Sequence, residues 1–149
     1  MQEPFPSEFS EPEESPGFLL WQVSSLWQRR QKKALSKIGL THVQFVLLAG
    51  IGFLESSKTL VTQVGLSKQA KTDVMMTSQV LRTLESKGFL KRKRSTDDPR
   101  AYLLSLTKPG RSLMEKGLKI VEAVDRDFFK KVNLKTTNLL SSLQRLSEE

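Results

Sequence analysis

Apolar side chains recur at helical spacing through most of the chain, and this pattern predicts six helices. The first follows Pro16 and ends at Gly39, after a basic run that suits the carboxyl end of a helix. The second, over residues 42–54, is apolar nearly all round, as expected of a helix in the middle of a small fold, and Thr41 can cap it. The apolar positions of the first helix are Leu19, Trp21, Val23, Leu26 and Trp27.

Two shorter and more polar helices come next, over about residues 62–69 and 73–87. A short helix, a tight connection and a second helix form the helix-turn-helix outline. One face of the second helix carries Val74, Thr77, Leu81 and Leu84, with Val80 beside them. The opposite side suits a DNA major groove, because glutamine pairs with adenine, arginine with guanine, and methionine contacts the thymine methyl group. That side carries Met75, Met76, Ser78, Gln79 and Arg82.

A basic segment interrupted by an acidic turn follows Gly88 and reads FLKRKR, STDDPR and AYLLSLT. The alternation in its last part is typical of a strand, and Asp97-Asp98-Pro99 is typical of a turn. Two strands after a helix-turn-helix form a wing, with Arg100 where the loop returns into the second strand. Asp98 can accept a hydrogen bond from the Arg100 guanidinium and fix its direction. An arginine aimed in this way suits the negative potential of a narrow minor groove.

The carboxyl-terminal part of the chain predicts a long helix and then a short one. Thr107 caps the long helix and Pro109 lies in its first turn, whereas the short helix has a narrow leucine face and is too short to be stable alone. Both apolar stripes need a partner, either a second subunit, which we favour, or another part of the same chain. The stripes comprise Leu113, Gly117, Ile120, Val121, Val124, Phe128 and Val132 on the long helix and Leu139, Leu140, Leu143 and Leu146 on the short one.

The length of 149 residues is that of one domain. The first sixteen residues contain five glutamates and no lysine or arginine, so the remainder carries a formal charge of +13 where the whole chain carries +8. We predict that residues 1–16 form a disordered acidic tail. A basic excess of this size favours polyanionic partners, of which nucleic acid is the first to consider. The same charge would also keep the protein soluble.

Several classes of protein are disfavoured by what the composition lacks. Without cysteine the chain has no disulfide, zinc-thiolate site or thiol catalysis, and the cytoplasm is the simplest location. The longest apolar run, residues 43–54, is shorter than the roughly 18 to 20 residues that span a bilayer, and no secretory signal precedes it. With His42 as the single histidine and no phosphate-cradling glycine loop, we expect no enzyme, no metal and no cofactor.

The order of these features resembles the multiple-antibiotic-resistance regulator (MarR) family of bacterial winged-helix transcription factors. The matching segments read LTHVQFVLL, LRTLESKGFLKR and DDPRAYLLSLTKPG, and the resemblance runs from about Phe18 to the carboxyl terminus. Two departures stand out: Gly65 weakens the first helix of the pair by about 1 kcal/mol, and Pro99 stands where many relatives carry a second basic residue. The most specific positions are Leu84-Glu85, Lys87-Gly88, Asp98-Pro99-Arg100, Leu106-Thr107 and Gly110.

The resemblance implies a mostly α, α+β winged-helix fold and a homodimeric transcriptional regulator on a pseudo-palindromic duplex, most simply a repressor. Within a single domain over residues 17–149, residues 55–107 would bind DNA, and residues 17–40 and 108–149 would form the dimerisation helices. Arg100 would enter the minor groove with Asp98 as its support. The first wing strand would neutralise phosphates through Lys91, Arg92, Lys93 and Arg94. A small aromatic effector would lie among Trp21, Trp27, His42 and Phe45, which are otherwise ordinary core residues.

Two other interpretations stay open. In the first, the winged helix docks on another protein through its wing and through Met75 and Met76, and binds DNA only non-specifically. In the second, the basic residues 29–37 bind an anionic lipid surface, where each cation contributes about 1 kcal/mol. We expect DNA rather than a membrane to be the partner.

Overall fold

The computed structural model describes residues 4–148, and in this range it contains six α-helices and one two-stranded antiparallel sheet, as the sequence predicts. A single 3-10 turn at Ser36–Ile38 and Gly39, with φ of +72°, connect the first two helices. The elements are α1 (Pro16–Leu35), α2 (His42–Ser56), α3 (Gln63–Ala70), α4 (Val74–Ser86), β1 (Leu90–Arg94), β2 (Tyr102–Leu106), α5 (Lys108–Phe129) and α6 (Leu139–Ser147).

Helices α2 to α5 each begin at a side-chain cap, and Thr41 and Thr107 are among the caps that the sequence predicts. The side-chain oxygens of Thr41, Thr62, Asp73 and Thr107 each accept a hydrogen bond from a backbone N–H in the first turn of α2, α3, α4 and α5. Each cap satisfies one of the N–H groups that a helix start leaves unpaired and contributes about 1 kcal/mol. Because capping is local in sequence, these helix starts follow from the chain itself.

Helix α2 lies at the centre of the fold, as its all-round apolar sequence predicts. It contacts α1, α3, α4, α5 and β2. Its Leu47, Leu48 and Ile51 are fully buried, together with Leu81 and Leu84 of α4. This core fixes the helix-turn-helix against the rest of the chain.

The wing is the antiparallel pair of β1 and β2, in a register that sets Leu90 opposite Leu106 and Arg94 opposite Tyr102. A third segment, which the sequence does not indicate, adds to its edge. Leu104 donates its backbone N–H to the carbonyl of Val61 at 2.8 Å. The start of α3 is therefore tied to the wing.

The apolar stripes of the terminal helices are only partly covered within one chain. Helix α1 packs against α5. Several large apolar side chains of α1 and α6 nevertheless stay exposed, so residues 4–148 leave part of the predicted apolar surface uncovered. The exposed side chains are Phe18, Leu19, Leu20, Trp21, Val23 and Leu26 on α1 and Leu140, Leu143 and Leu146 on α6.

The acidic amino-terminal segment contains one short 3-10 helix, Pro12–Glu14, which precedes α1. Its first three residues lie outside the described part of the chain, and residues 4–14 are exposed. Helix α1 begins at Pro16, one residue before the expected domain boundary. Among the described helices no single one is long and apolar enough to cross a membrane, and α1 and α2 meet that test only as a pair bent by 78°.

Candidate nucleic-acid interface

Helix α4 presents its five predicted base-contacting residues along one open depression. Met75, Met76, Ser78, Gln79 and Arg82 line it together. The side chain of Met75 is 81% exposed, and those of Gln79 and Arg82 are also exposed. An amide, a guanidinium, a hydroxyl and two thioethers are groups that can contact the edges of base pairs. The structure therefore brings this predicted set together.

A small hydrogen-bond network at its start fixes the position of α4. Asp73 accepts from the backbone N–H of Met76 at 2.8 Å. The buried hydroxyl of Thr77 donates to the carbonyl of Asp73 at 2.7 Å and lies 2.7 Å from the hydroxyl of Thr72. These bonds, with the buried leucines of the same face, leave α4 little freedom to rotate about its axis.

Val74 is more exposed than the rest of the helix face to which its spacing assigns it. The spacing places it on one face with Thr77, but Val74 is 51% exposed whereas Thr77 is buried. The reason is position along the helix, because Val74, Met75 and Met76 form the first turn of α4 and all three are exposed. The first turn projects beyond the core and adds Val74 to the accessible surface.

Arg92, which the sequence predicts to contact phosphates, has an ionic partner within the chain. Its Nε donates to Glu85 of α4 at 2.9 Å, and only 14% of its side chain is exposed. Its guanidinium carbon also lies 4.8 Å from the centre of the Tyr102 ring. Arg92 therefore joins β1 to the end of α4 and sets the angle between the recognition helix and the wing.

The wing loop is ordered by bonds to its backbone, and the predicted pairing of Asp98 with the Arg100 guanidinium is absent from residues 4–148. Asp98 accepts instead from the backbone N–H of Arg100 at 3.0 Å. Arg94 donates to the carbonyl of Pro99 at 3.2 Å, and Ser95 accepts from the N–H of Asp98 at 3.3 Å. The side chain of Arg100 is left exposed at the tip of a shaped loop.

Four cations of this surface take part in none of the ion pairs found among residues 4–148. Arg82, Lys91, Lys93 and Arg100 are exposed and form no ion pair among residues 4–148. An unpaired, exposed cation attracts a phosphate group through solvent and releases counterions when it contacts one. The recognition helix and the wing therefore offer positive charge beside groups that can read bases.

The four aromatic residues predicted to surround an effector are not all brought together. Trp21 is 69% exposed and lies six residues before Trp27, so the two rings point to different faces of α1. The rings of Trp27 and His42 meet edge to face at 5.0 Å. Phe45 is buried in the core beside Gly117. Three of the four therefore form the junction of α1, α2 and α5, and Trp21 lies outside that junction.

A buried polar network lies at this junction. Asp125 accepts from the indole N–H of Trp27 at 2.7 Å and from the amide of Gln31 at 2.8 Å. Gln31 is fully buried, and its Oε1 has no hydrogen-bond partner in the described part of the chain. Burial lowers the pKa of His42 below its ordinary value, and the charge of Asp125 opposes that shift.

The lowered pKa of His42 predicts a dependence of stability on pH. The imidazole of the unfolded chain has a pKa of about 6.5 and binds a proton more readily than that of the folded chain. The free energy of unfolding therefore falls as the pH drops below that value. We expect urea unfolding at pH 7.5 and pH 5.5 to show a smaller loss of stability for His42→Gln than for the wild type. An equal loss in both proteins would assign the dependence to other groups.

Two features of the interface have no signal in the sequence. Glu55, at the end of α2, accepts from the backbone N–H of Leu106 at 2.9 Å and pairs with Arg111, so it connects the wing to α5. Lys71, in the turn between α3 and α4, has φ of +51°. Partners this distant along the chain, and a left-handed backbone at a lysine, cannot be read from periodicity.

Comparison with known proteins finds relatives over nearly the whole chain. A family model described as transcriptional regulator SarA/Rot matches residues 29–117. The HTH-type transcriptional regulator YdcH of Bacillus subtilis is 47% identical over 140 residues, which cover 94% of this chain and 95% of that protein.

Two solved structures show the same fold. A mutant of MarR from E. coli, in complex with operator DNA, has a TM-score of 0.78 at 24% identity and covers 95% of this chain and 100% of its own. BpsR of Bordetella bronchiseptica, solved for the regulation of its DNA binding by 6-hydroxynicotinic acid, has a TM-score of 0.82 at 23% identity, with coverage of 97% and 99%.

The fold, the exposed recognition helix and these relatives agree with the resemblance in the sequence. The relatives are transcriptional regulators, which confirms the prediction that the chain is not an enzyme. The chain belongs to the MarR family of winged-helix, DNA-binding transcriptional regulators.

Proposed function

We propose that the protein acts in the cytoplasm as a homodimer that represses transcription by occupying a pseudo-palindromic operator. The observation that carries the proposal is the exposed face of α4, where five side chains suited to base edges line one depression. MarR, which shares this fold, has been solved with operator DNA. A bound dimer excludes other proteins from the same stretch of duplex, and repression needs nothing further.

The exposed apolar helices support the dimer. Helix α6 has nine residues and a leucine face that is exposed at Leu140, Leu143 and Leu146. Isolated helices of this length are unstable in water, so α6 needs a surface to cover it. The equally exposed apolar residues of α1 provide such a surface in a second copy of the chain. A two-fold axis would then place two α4 helices in major grooves about one helical turn apart.

Each part of the interface has a separate role in this proposal. Gln79 and Arg82 contact bases, with Ser78 beside them, and Met75 and Met76 contact thymine methyl groups. Arg100 enters the adjacent minor groove. Lys91 and Lys93 neutralise phosphates, whereas Arg92 holds the wing against α4 through Glu85. Affinity then comes mainly from the cations and specificity mainly from α4.

The junction of α1, α2 and α5 supports a response to a small aromatic effector. The rings of Trp27 and His42 are in edge-to-face contact there, and the unpartnered Oε1 of Gln31 can accept a hydrogen bond from a ligand. BpsR provides the precedent within this fold, because 6-hydroxynicotinic acid regulates its DNA binding. Binding at this junction would act on the packing of α1 against α5, and so on the spacing of the two α4 helices.

Selection of bound sequences from a random duplex pool tests the proposal. We expect an inverted repeat whose half-sites lie about one helical turn apart. Fluorescence anisotropy should then show that the selected site binds about 1,000-fold or more tightly than a scrambled duplex at physiological salt. If no motif is enriched and all duplexes bind alike, with a shared steep loss at higher salt, the protein is a winged-helix module that binds DNA non-specifically and recognises another protein.

A further inference from the structure

Two lysines adopt a backbone conformation that lysine rarely takes. Lys58 has φ of +55° and Lys71 has φ of +51°, and they are the two residues other than glycine with positive φ in the described part of the chain. In this left-handed region the Cβ atom crowds the following carbonyl group, and glycine is the residue that avoids the cost. Residues held in such a conformation are concentrated at functional sites.

Elsewhere the same chain uses glycine where a helix ends in this conformation. Gly39 follows α1 and its 3-10 turn with φ of +72°, and Gly88 follows α4 with φ of +79°. Lys71 occupies the equivalent place after α3, where the N–H of Thr72 bonds to the carbonyl of Ser67 at 3.0 Å. A glycine would fit this helix end better, and a contact of the lysine side chain outside the chain would offset the strain.

The part of the chain that the structure describes provides no ionic partner for Lys71. Its side chain is exposed and forms no ion pair among residues 4–148. A cation at the carboxyl end of a helix interacts favourably with the helix dipole, but Lys68 already supplies one in the last turn of α3. The contribution of Lys71 is therefore to be sought in a partner.

Lys71 stands beside the part of the molecule that meets DNA. It lies three residues before Val74, the first residue of α4, whose first turn projects from the core. When α4 enters a major groove, the turn that precedes it faces the sugar-phosphate backbone at the edge of the groove.

We propose that Lys71 binds a phosphate group of the duplex and that its strained backbone is retained for this contact. The inference rests on the proposed binding of duplex DNA but not on its sequence specificity, since a phosphate contact is the same on every duplex. Lys71 thereby fixes the register of α4 in the groove without reading a base.

The substitution Lys71→Gly should affect stability and DNA affinity in different ways. Relief of the backbone strain should leave the melting temperature equal to or up to about 4 °C above that of the wild type. Affinity should fall several-fold, by the same factor on the selected operator and on scrambled duplex. The slope of log affinity against log salt should decrease by about 0.9 for each subunit bound, the value for one phosphate contact.

Lys58→Gly is the matched control. Lys58 has nearly the same φ, the same charge and the same exposure, but it lies at the opposite end of α3, in the turn after α2. We expect Lys58→Gly to leave the affinity and the salt slope unchanged, and Lys71→Arg to keep both close to wild-type values.

Three results would overturn the proposal. The first is an unchanged affinity and salt slope in Lys71→Gly. The second is an equal loss in Lys58→Gly, which would mean that any surface cation has this effect. The third is a loss confined to the operator, which would make Lys71 a contact to a base. Absence of specific binding by the wild type would refute the proposed regulator, while the comparison of Lys71→Gly with Lys58→Gly on scrambled duplex would still decide the role of Lys71.

Discussion

Replacing Gly110 by alanine is expected to destabilise the protein by about 3 kcal/mol or more, because the added methyl group has no space. Gly110 lies in the first turn of α5, and a Cβ atom there would lie 1.7 Å from the carbonyl oxygen of Phe89. That carbonyl oxygen also accepts from the N–H of Thr107 at 3.2 Å. The obstacle is backbone, which cannot rotate away as a side chain does, so α5 or the α4–β1 turn must shift.

Urea unfolding of Gly110→Ala and of the wild type, at one protein concentration, measures this effect. Gly17→Ala is the matched control, since Gly17 lies at the start of α1 and a Cβ atom there meets nothing within 4 Å. We expect the control to stay within about 0.5 kcal/mol of the wild type. A similarly small effect of Gly110→Ala would show that the contact between α5 and Phe89 is looser than the structure has it.

This contact explains why a glycine belongs at the base of the wing. The close approach brings the start of α5 against the turn that connects α4 to β1, and Thr107 strengthens it by donating its hydroxyl to the carbonyl of Gly88 at 2.6 Å. Glu55 adds a second connection, through Leu106 and Arg111. The helix proposed to form the dimer and the wing proposed to hold the minor groove are thus joined directly, so a shift of α5 would move the wing.

The sequence predicts the elements of this fold well because their determinants are local. Thr62, Asp73 and Thr107 lie next to the helices that they cap, and the acidic turn at Asp98 marks the hairpin. The predicted recognition face of α4 follows from helical periodicity in the same way, and its five residues do share one surface. The sequence alone therefore predicts the local role that a residue has within one or two helical turns of its own position.

The structure departs from the sequence pattern where the outcome depends on distant parts of the chain. Val74 has the periodicity of a core residue but lies beyond the edge of the core. Arg92 has the position of a phosphate contact but finds Glu85 when β1 packs beside α4. Trp21 shares an apolar segment with Trp27 but not its face of the helix. Each of these depends on how elements meet, which is settled by packing and not by spacing.

Replacing Arg100 by alanine is expected to weaken operator binding by about 100-fold while leaving the dimer intact. The loop backbone around Arg100 is organised without its side chain, through the bonds of Asp98 to the N–H of Arg100 and of Arg94 to the carbonyl of Pro99. The exposed guanidinium is therefore free to enter a minor groove, and its removal should not unfold the loop. A loss of about 1.4 kcal/mol at each of two half-sites amounts to about 100-fold.

Lys93→Ala is the matched control, because Lys93 is an exposed cation on the same wing and has no ion pair among residues 4–148. We expect it to lower affinity several-fold and equally on every duplex, as a phosphate contact does. The loss in Arg100→Ala should instead be concentrated on the operator, since a narrow A·T-rich minor groove attracts arginine more strongly than a wide one.

A double-mutant cycle, in which Arg100 and the flanking base pairs are changed separately and together, identifies the site of the contact. We expect the selected operator to carry A·T pairs beside each half-site. Replacing them by G·C widens the minor groove and places a guanine amino group in it, so binding by the wild type should weaken. Arg100→Ala should be indifferent to that change, because the side chain that senses it is gone. If the flanking substitution weakens both proteins by the same factor, Arg100 does not lie in that groove, and the wing contributes to binding through its charge alone.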